Sequence, residues 1–565
     1  MKKKWIEKEI NLDIEKKAKQ IEEKFGLSKL TSKLIAEKKL KSDKEIEIFL
    51  NPTRHDFRNP FQMPDMEKAV ERIIKAIENK EKIVVYGDYD VDGITSSSIL
   101  KRFMKDRGID IGVYIPNRLD EGYGLNEDAI RKIASEGYNL IITVDCGITA
   151  IKETALAQEL GMDVIITDHH EPGEEIPETL AVVDCKIKTN QYPFRELAGC
   201  GVAFKLAQAL SIKLGLDETE YLKYLDLACI GTISDIVPLV DENRIIAKLG
   251  LLLVKQTKNT GLRELLKIIG SKEINARMVS FGISPRINAC GRMGHENDAL
   301  ELLLTDDPIK ARKLAQNLEE YNKERQNIEK RIFEEAINEI SDDNNSCIVL
   351  GKENWHHGVI GIVSSKITET YYKPSILVCI EGEEAKGSGR SIQGFDLHEA
   401  ICKCGDKITN YGGHSMAIGL SLKSKNFEAF KKEFEKYANE NIKEDMLEAE
   451  LKIDEEINGK DISIEAIKEL DLLEPFGEAN SEPIIIYKNL KIAAIRTLSE
   501  GKHLKLSLQD DNTYLDAIGF NLGDLAEEYQ IGDKIDVVGN IQINSFNNWE
   551  KVQIVLKDLR KSVKL

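Results

Sequence analysis

Ile83-Val84-Val85-Tyr86-Gly87-Asp88-Tyr89-Asp90-Val91-Asp92-Gly93 decides how this chain is read. Four β-prone apolar residues run into a turn bearing three aspartates, and an apolar helix follows at about 97–103. The same grammar then repeats. Leu140-Ile141-Ile142-Thr143-Val144 leads to Asp145 and a helix at about 150–160; Val164-Ile165-Ile166-Thr167 leads to Asp168, His169 and His170; Leu180-Ala181-Val182-Val183 leads to Asp184. Strands alternating with helices imply right-handed βαβ units and a parallel sheet. Continuous apolar runs imply that both faces of that sheet are covered. In such sheets functional groups gather beyond the carboxyl ends of the strands, so the acids that follow these runs should converge on one rim.

Acids at that density repel each other unless cations or raised pKa values relieve them. Carboxylate oxygens suit Mg²⁺ and Mn²⁺, and imidazole tilts the preference toward Mn²⁺. Two such ions bridged by an aspartate would activate a water and stabilise in-line displacement at phosphorus. For a single acid such as Asp88 or Asp184, a helix cap or a turn is an equally good reading.

Outward from this core, residues 1–66 read as an N-terminal segment of short helices and turns, and 67–307 as the α/β lobe that carries the acids. A charged amphipathic helix at 308–340 joins it to a second α/β lobe at 341–440, across the polar break Ser341-Asp342-Asp343-Asn344-Asn345-Ser346. The last segment, 446–565, is mainly β and best suits a small barrel of the OB type. The expected class is therefore α/β, with a parallel-sheet lobe, a long helix, a second α/β lobe and a C-terminal OB-like β-barrel.

Composition fits a soluble, cytoplasmic multidomain protein: 565 residues, 42% hydrophobic and 31% charged. The opening residues carry acids where a signal peptide needs an apolar run, and no stretch is apolar enough to span a bilayer. The nine cysteines are scattered and read as buried thiols. A net charge of −18 excludes a uniformly basic nucleic-acid binder, so any nucleic-acid contact must be local.

The acidic motifs carry a family resemblance. Gly87-Asp88-Tyr89-Asp90-Val91-Asp92-Gly93, Val144-Asp145-Cys146-Gly147, Asp168-His169-His170 and Ser234-Asp235-Ile236-Val237-Pro238 resemble, in order, the four motifs of the DHH phosphoesterases. Several further stretches resemble the bacterial RecJ branch. They are Ile115-Pro116-Asn117-Arg118 with Glu121-Gly122-Tyr123-Gly124-Leu125, Pro285-Arg286-Ile287-Asn288-Ala289 with Gly291-Arg292, and Trp355-His356-His357-Gly358-Val359-Ile360-Gly361. Gly387-Ser388-Gly389-Arg390-Ser391 and Gly412-Gly413-His414 look like the DHH-associated lobe.

The resemblance implies a two-metal 5′-to-3′ exonuclease on single-stranded DNA, releasing 5′-mononucleotides in recombination and repair. Asp90, Asp92, Asp145, His169 and Asp235 would hold two Mn²⁺ or Mg²⁺ ions, with Asp145 as the bridge. His170 would sit beside the scissile phosphate as a further catalytic group, and Asp88 and Asp168 would lie behind the ligands, Asp168 orienting a histidine. Many DHH enzymes with smaller substrates begin the first motif with a histidine where this chain has Tyr86.

Gly387, Gly389, Gly412 and Gly413 would open the backbone to a phosphate as an anion nest. By resemblance Ser388 and Arg390 would grip a 5′-phosphate, with Gly412, Gly413 and His414 beside them. Arg286 and Arg292 sit in a Pro/Gly-limited loop and either bind backbone phosphates or pair with the long helix. Arg118 would line a strand entrance. His356 and His357 serve a helix start or the substrate. In the terminal barrel Phe520, Phe546 and Trp549 are either core or base contacts, and Lys502, His503 and Lys505 either local charge or a solvated face.

The expected partner is single-stranded DNA with a 5′ end, with a single-strand-binding protein and a RecQ-type helicase as protein partners, no membrane, and a monomeric state. The alternatives are a phosphodiesterase of short oligonucleotides or cyclic dinucleotides and a non-catalytic scaffold of a replication complex.

Overall fold

The computed structural model describes residues 3–9, 11–271, 273–340, 345–510, 513–546 and 549–562. Ser341-Asp342-Asp343-Asn344 of the polar break lie outside them. The chain forms two compact units, Phe57–Glu448 and Met1–Asp56 with Ala449–Leu565. No described helix is long and apolar enough to cross a membrane.

In the larger unit a five-stranded parallel sheet runs Gly112–Tyr114, Ile83–Tyr86, Leu140–Val144, Asp163–Asp168, Ala181–Asp184. Successive residues face opposite cores. Ile83, Val85, Ile142 and Ile165 pack with the helices Met66–Glu78, Val91–Lys105 and Gly199–Lys213. Val84, Ile141, Val164 and Ile166 pack with Glu127–Ser135 and Ile151–Glu159. The strand order reverses between Ile83–Tyr86 and Leu140–Val144, the switch point at which open α/β sheets place their sites.

The helix expected near 97 begins at Val91, because Asp90 caps it by accepting from the amides of Asp92 (2.9 Å) and Gly93 (3.1 Å). The Gly112–Tyr114 edge strand was not foreseen. The Arg286/Arg292 loop is instead a helix, Ser284–Arg292, with Pro285 in its first turn, where proline costs no hydrogen bond.

The Pro308–Glu339 helix starts at Asp307, whose side chain accepts from the Ile309 amide, and Pro308 occupies its first position. Its first half buries Leu314, Ala315 and Leu318 in the core of the parallel-sheet lobe, and its last turns bury Ile332 and Ala336 against the second lobe. That lobe is a mixed sheet in the order Asn410–His414, Ala417–Lys423, Glu384–Arg390, Ser375–Glu381, Ile348–Glu353, parallel only between the last two.

In the smaller unit Ile485–Leu498, His503–Gln509, Tyr514–Gly519, Trp549–Lys561 and Lys534–Phe546 pair in sequence, and the last pairs back onto the first. This closes a five-stranded barrel, and Glu455–Ile457 adds a short parallel strand onto Ile485–Leu498. Ala18, Ile21, Leu34 and Phe49 of the N-terminal helices share its core. The boundary expected at 66 therefore moves to Asp56: Phe57, Phe61, Met63 and Met66 pack into the core of the parallel-sheet lobe, whereas the helices before them belong with the barrel.

Candidate active site

Each acid reaches the rim through its own local turn. Asp88 and Asp90 follow the Ile83–Tyr86 strand. Gly93 is required there, because a Cβ would lie 2.3 Å from the Asp88 carbonyl oxygen. Asp92 is buried, and its carboxylate oxygens accept from the amides of Gly199 (2.6 Å) and Cys200 (2.8 Å) at the start of the Gly199–Lys213 helix. A Cβ at Gly199 would come within 2.6 Å of the Asp145 Cβ, so only glycine lets this helix approach. Asp145 leaves the Leu140–Val144 strand with φ 61°, which folds its carboxylate back over the rim. Asp235 follows the last turn of the Leu225–Ser234 helix.

His169 Nε2 lies 3.1 Å from Asp145 Oδ1, 3.6 Å from Asp235 Oδ2 and 3.8 Å from Asp92 Oδ2. Three overlapping donor groups result: Asp92, His169 and Asp235; Asp145, His169 and His170; Asp88, Asp90 and Asp145. Sequence reading put Asp88 behind the ligands, yet it falls within the third group. Asp184 is buried at the end of its strand, accepts from the Lys186 amide and belongs to none of them.

The electrostatics fit divalent cations. Burial, followed by the charges of Asp92, Asp90 and Asp88, drives the Asp145 carboxyl well above its usual range, and burial with Asp90 does the same to Asp88. Burial and the neighbouring aspartates push Asp235 up to about 9. Burial lowers His169, so its ring is neutral with a lone pair to offer. Two buried polar atoms, Asp88 Oδ1 and His169 Nε2, have no hydrogen-bond partner. Orphaned atoms of this kind are costly unless an ion completes them, and the oxygen and imidazole donors match Mg²⁺ or Mn²⁺.

Asp168 stands behind the histidines. It accepts from the amides of His169, His170 and Ile148 and from His170 Nδ1 at 2.7 Å. Burial alone would raise its carboxyl, but the His170 ring more than offsets this and holds it low. His170 in turn rises to about 9, because Asp168 outweighs the effect of burial. Tyr123 Oη lies 3.2 Å from His170 Nδ1 and donates to the Asp145 carbonyl oxygen. Its part was not read from the sequence. The signal was its position between Gly122 and Gly124, both at positive φ.

A pH dependence follows. A carboxyl held at about 9 in the fold, against 3.8 ordinarily, keeps its proton only while folded. Stability of the metal-stripped chain therefore falls as pH rises through that window. His170 acts in the same sense: its contribution is full below 6.5 and is lost as pH climbs through about 9. Metal displaces those protons. Mn²⁺ should then raise the melting temperature more near about pH 8 than near about pH 6. Equal increments at both pH values would contradict this account.

Beyond the acids lies a basic group. Arg118 sits over the Tyr89 ring at 4.8 Å. Arg292 donates to the Gly358 carbonyl oxygen of the second lobe at 2.7 Å. Its guanidinium is pushed down to about 9 by burial and then by repulsion from Arg118, Arg325 and Arg390. On the second lobe Ser388 and Arg390 share one strand face, and Arg390 Nη1 donates to Ser388 Oγ at 3.1 Å. Gly361 faces them; a Cβ there would lie 2.9 Å from Ser388 Oγ.

Of the two readings of Arg286, the structure shows the pairing with the long helix: it meets Glu319 at 2.6 Å and donates to the Gly282 carbonyl oxygen. Gly412, Gly413 and His414, read as part of an anion nest, lie on an exposed edge strand whose backbone pairs with Ala417–Lys423. Gly412 and His414 do lie in register, through Gly419 and Ala417, with Ser388 and Arg390. His356 caps the helix that follows it, His357–Tyr371. Among the cysteines Cys402 is exposed and the other eight are buried. In the barrel Phe520 and Trp549 are exposed; the Phe546 side chain lies outside those described.

Comparison with known proteins matches residues 82–232 to the DHH family N-terminal domain, 344–440 to the DHHA1 domain and 453–558 to the RecJ OB domain. The single-stranded-DNA-specific exonuclease RecJ of Bacillus subtilis is 40% identical over 557 residues, which covers 97% of this chain and 70% of that one. Its Escherichia coli counterpart is 32% identical over 530 residues, covering 88% and 90%. The crystal structure of Thermus thermophilus RecJ in complex with Mn²⁺ superposes with a TM-score of 0.87 at 30% identity, across 100% of this chain and 80% of that one. Matched along almost its whole length by such relatives, the chain belongs to the RecJ family of DHH phosphoesterases.

Proposed function

We propose that this chain is a metal-dependent exonuclease that degrades single-stranded DNA from its 5′ end and releases 5′-mononucleotides in recombination and repair. The observation that carries this reading is the meeting of two rims. Tyr89, in the turn between Asp88 and Asp90, feels the charges of both those acids and of Arg118 and Arg292; Arg118 sits over its ring at 4.8 Å, and Arg292 in turn feels Arg118 and Arg390. A phosphodiester needs both: metal-held charge at the scissile phosphate and guanidinium forks for its neighbours. The relatives carry the name of single-stranded-DNA-specific exonucleases, and Thermus thermophilus RecJ has been solved with Mn²⁺ and with Mg²⁺.

Asp90, Asp92, Asp145, His169 and Asp235 would hold the two ions, with Asp145 shared and Asp88 alongside. When bound, such ions supply a hydroxide at neutral pH and neutralise charge building on phosphate oxygens. The Gly199 and Cys200 amides fix Asp92. Asp168 fixes His170 at Nδ1, which would orient its ring beside the scissile phosphate. Arg118 and Arg292 would hold backbone phosphates, and Ser388 and Arg390 the 5′-phosphate, with the Gly412–Gly419 face leaving room beside them. A cytoplasmic monomer that meets a single-strand-binding protein and a RecQ-type helicase belongs to the same reading.

The test is degradation of a long single strand, its duplex form and a dinucleotide side by side in Mn²⁺. Preference for the dinucleotide would defeat the exonuclease reading. Arg390→Ala should cost about tenfold on 5′-phosphorylated strands and under about twofold on 5′-hydroxyl strands. Equal losses on both would remove Arg390 from the end clamp.

A further inference from the structure

The Leu225–Ser234 helix ends at Asp235, whose amide donates to the Gly231 carbonyl oxygen at 2.9 Å. The next residue, Ile236, has φ 60°. Helices commonly stop on glycine at this position, because a left-handed backbone crowds a Cβ. Among the described residues with positive φ, Ile236 alone is branched at Cβ, the case in which such a backbone is a true outlier. Core packing does not account for it: Ile236 is 70% exposed, while Val237 and Leu239 turn back into the core. Glycine would make the turn with less strain. Strain of this kind persists where a functional site holds it.

Its surroundings indicate what it meets. Ile236 is bonded to Asp235, one of the donors around His169, so it stands within a nucleotide's length of the acid rim. Ser234 hydrogen-bonds Ser284, and Ser284 donates to the Val279 carbonyl oxygen across a π-helical turn, Val279–Ile283. Such turns concentrate at functional sites, and this one presents Phe281, 76% exposed. Two large apolar side chains thus reach solvent from segments tied together through Ser234 and Ser284. The phosphates of a strand are matched by arginines and metal; its bases need a flat, apolar and sequence-tolerant contact.

We propose that Ile236, with Phe281 on the linked turn, forms an apolar subsite for the nucleobase adjoining the scissile phosphate, and so sets where the strand lies against the acid rim. This rests on the single-strand exonuclease reading above. Ile236→Asn keeps a residue that tolerates the left-handed conformation but removes the apolar body; Ile236→Leu keeps the body. Steady-state kinetics would be measured on an ordinary 5′-phosphorylated strand and on one whose 5′-terminal nucleotides are abasic.

The Asn variant should raise KM about five- to tenfold on the ordinary strand with kcat within about twofold, and Leu should stay near the wild type. The Asn deficit should shrink to under about twofold on the abasic strand, and its melting temperature should hold or rise as strain is relieved. An unchanged KM for the Asn variant, or the same deficit on both strands, would overturn the subsite. Wild-type protein inert on single strands would instead overturn the exonuclease reading.

Discussion

Asp145→Ala is expected to lower Mn²⁺-dependent nucleotide release on the order of 10³-fold or more, while single-strand affinity measured by fluorescence anisotropy stays within about threefold. Asp145 is the acid shared between two of the three donor groups, and it lies 3.1 Å from His169 Nε2. Its loss uncouples both positions. The arginines that would hold the strand are left in place, so binding and cleavage should separate. A second readout has the opposite sign. In the metal-free chain Asp145 suffers burial and the charges of Asp92, Asp90 and Asp88, so the alanine variant should melt higher than the wild type in chelator and gain less from Mn²⁺. Turnover near the wild-type rate would show that Asp145 holds no metal.

Lys205→Met is expected to destabilise the larger unit by about 3–5 kcal/mol, the typical cost of breaking a buried ion pair by removing one partner. Lys205 and Glu242 have fully buried side chains and pair at 2.9 Å. Tyr192 also donates to Glu242, and Lys205 donates to the Arg58 carbonyl oxygen. Burial pulls the Lys205 ammonium below its ordinary pKa, yet Glu242 keeps it paired. Remove the lysine and the carboxylate stays in the core without its cation. The double variant Lys205→Met with Glu242→Gln should recover much of the loss, because both charges are then gone. Urea midpoints would measure it. A loss under about 1 kcal/mol for the single variant would mean that water reaches Glu242.

What was legible in the sequence is what is written locally. A strand followed by an acid is a contiguous signal, and so the parallel sheet, the rim and the His169 region could be read residue by residue. Asp184 shows the limit of that rule: it obeys the same grammar, but its position opposite Asp168 in the sheet and the Lys186 amide keep it out of the donor groups. The first turns of the Val91–Lys105 helix were missed because Thr95, Ser96, Ser97 and Ser98 break the apolar period. All four are fully buried, small enough to let the Gly199 and Leu225 helices pack closely. Arg286 was undecidable because its partner, Glu319, lies on another helix. The amides that hold Asp92 leave no trace in side-chain chemistry at all.

The N-terminal helices and the barrel strands fill one core although all of Phe57–Glu448 lies between them in sequence. On the ribosome those helices emerge before the strands. At ordinary elongation rates their apolar faces then wait roughly 20 to 80 seconds for the strands that cover them. A prematurely terminated chain never covers them, so truncation products should be prime clients for chaperones and proteases even where the catalytic core has already folded.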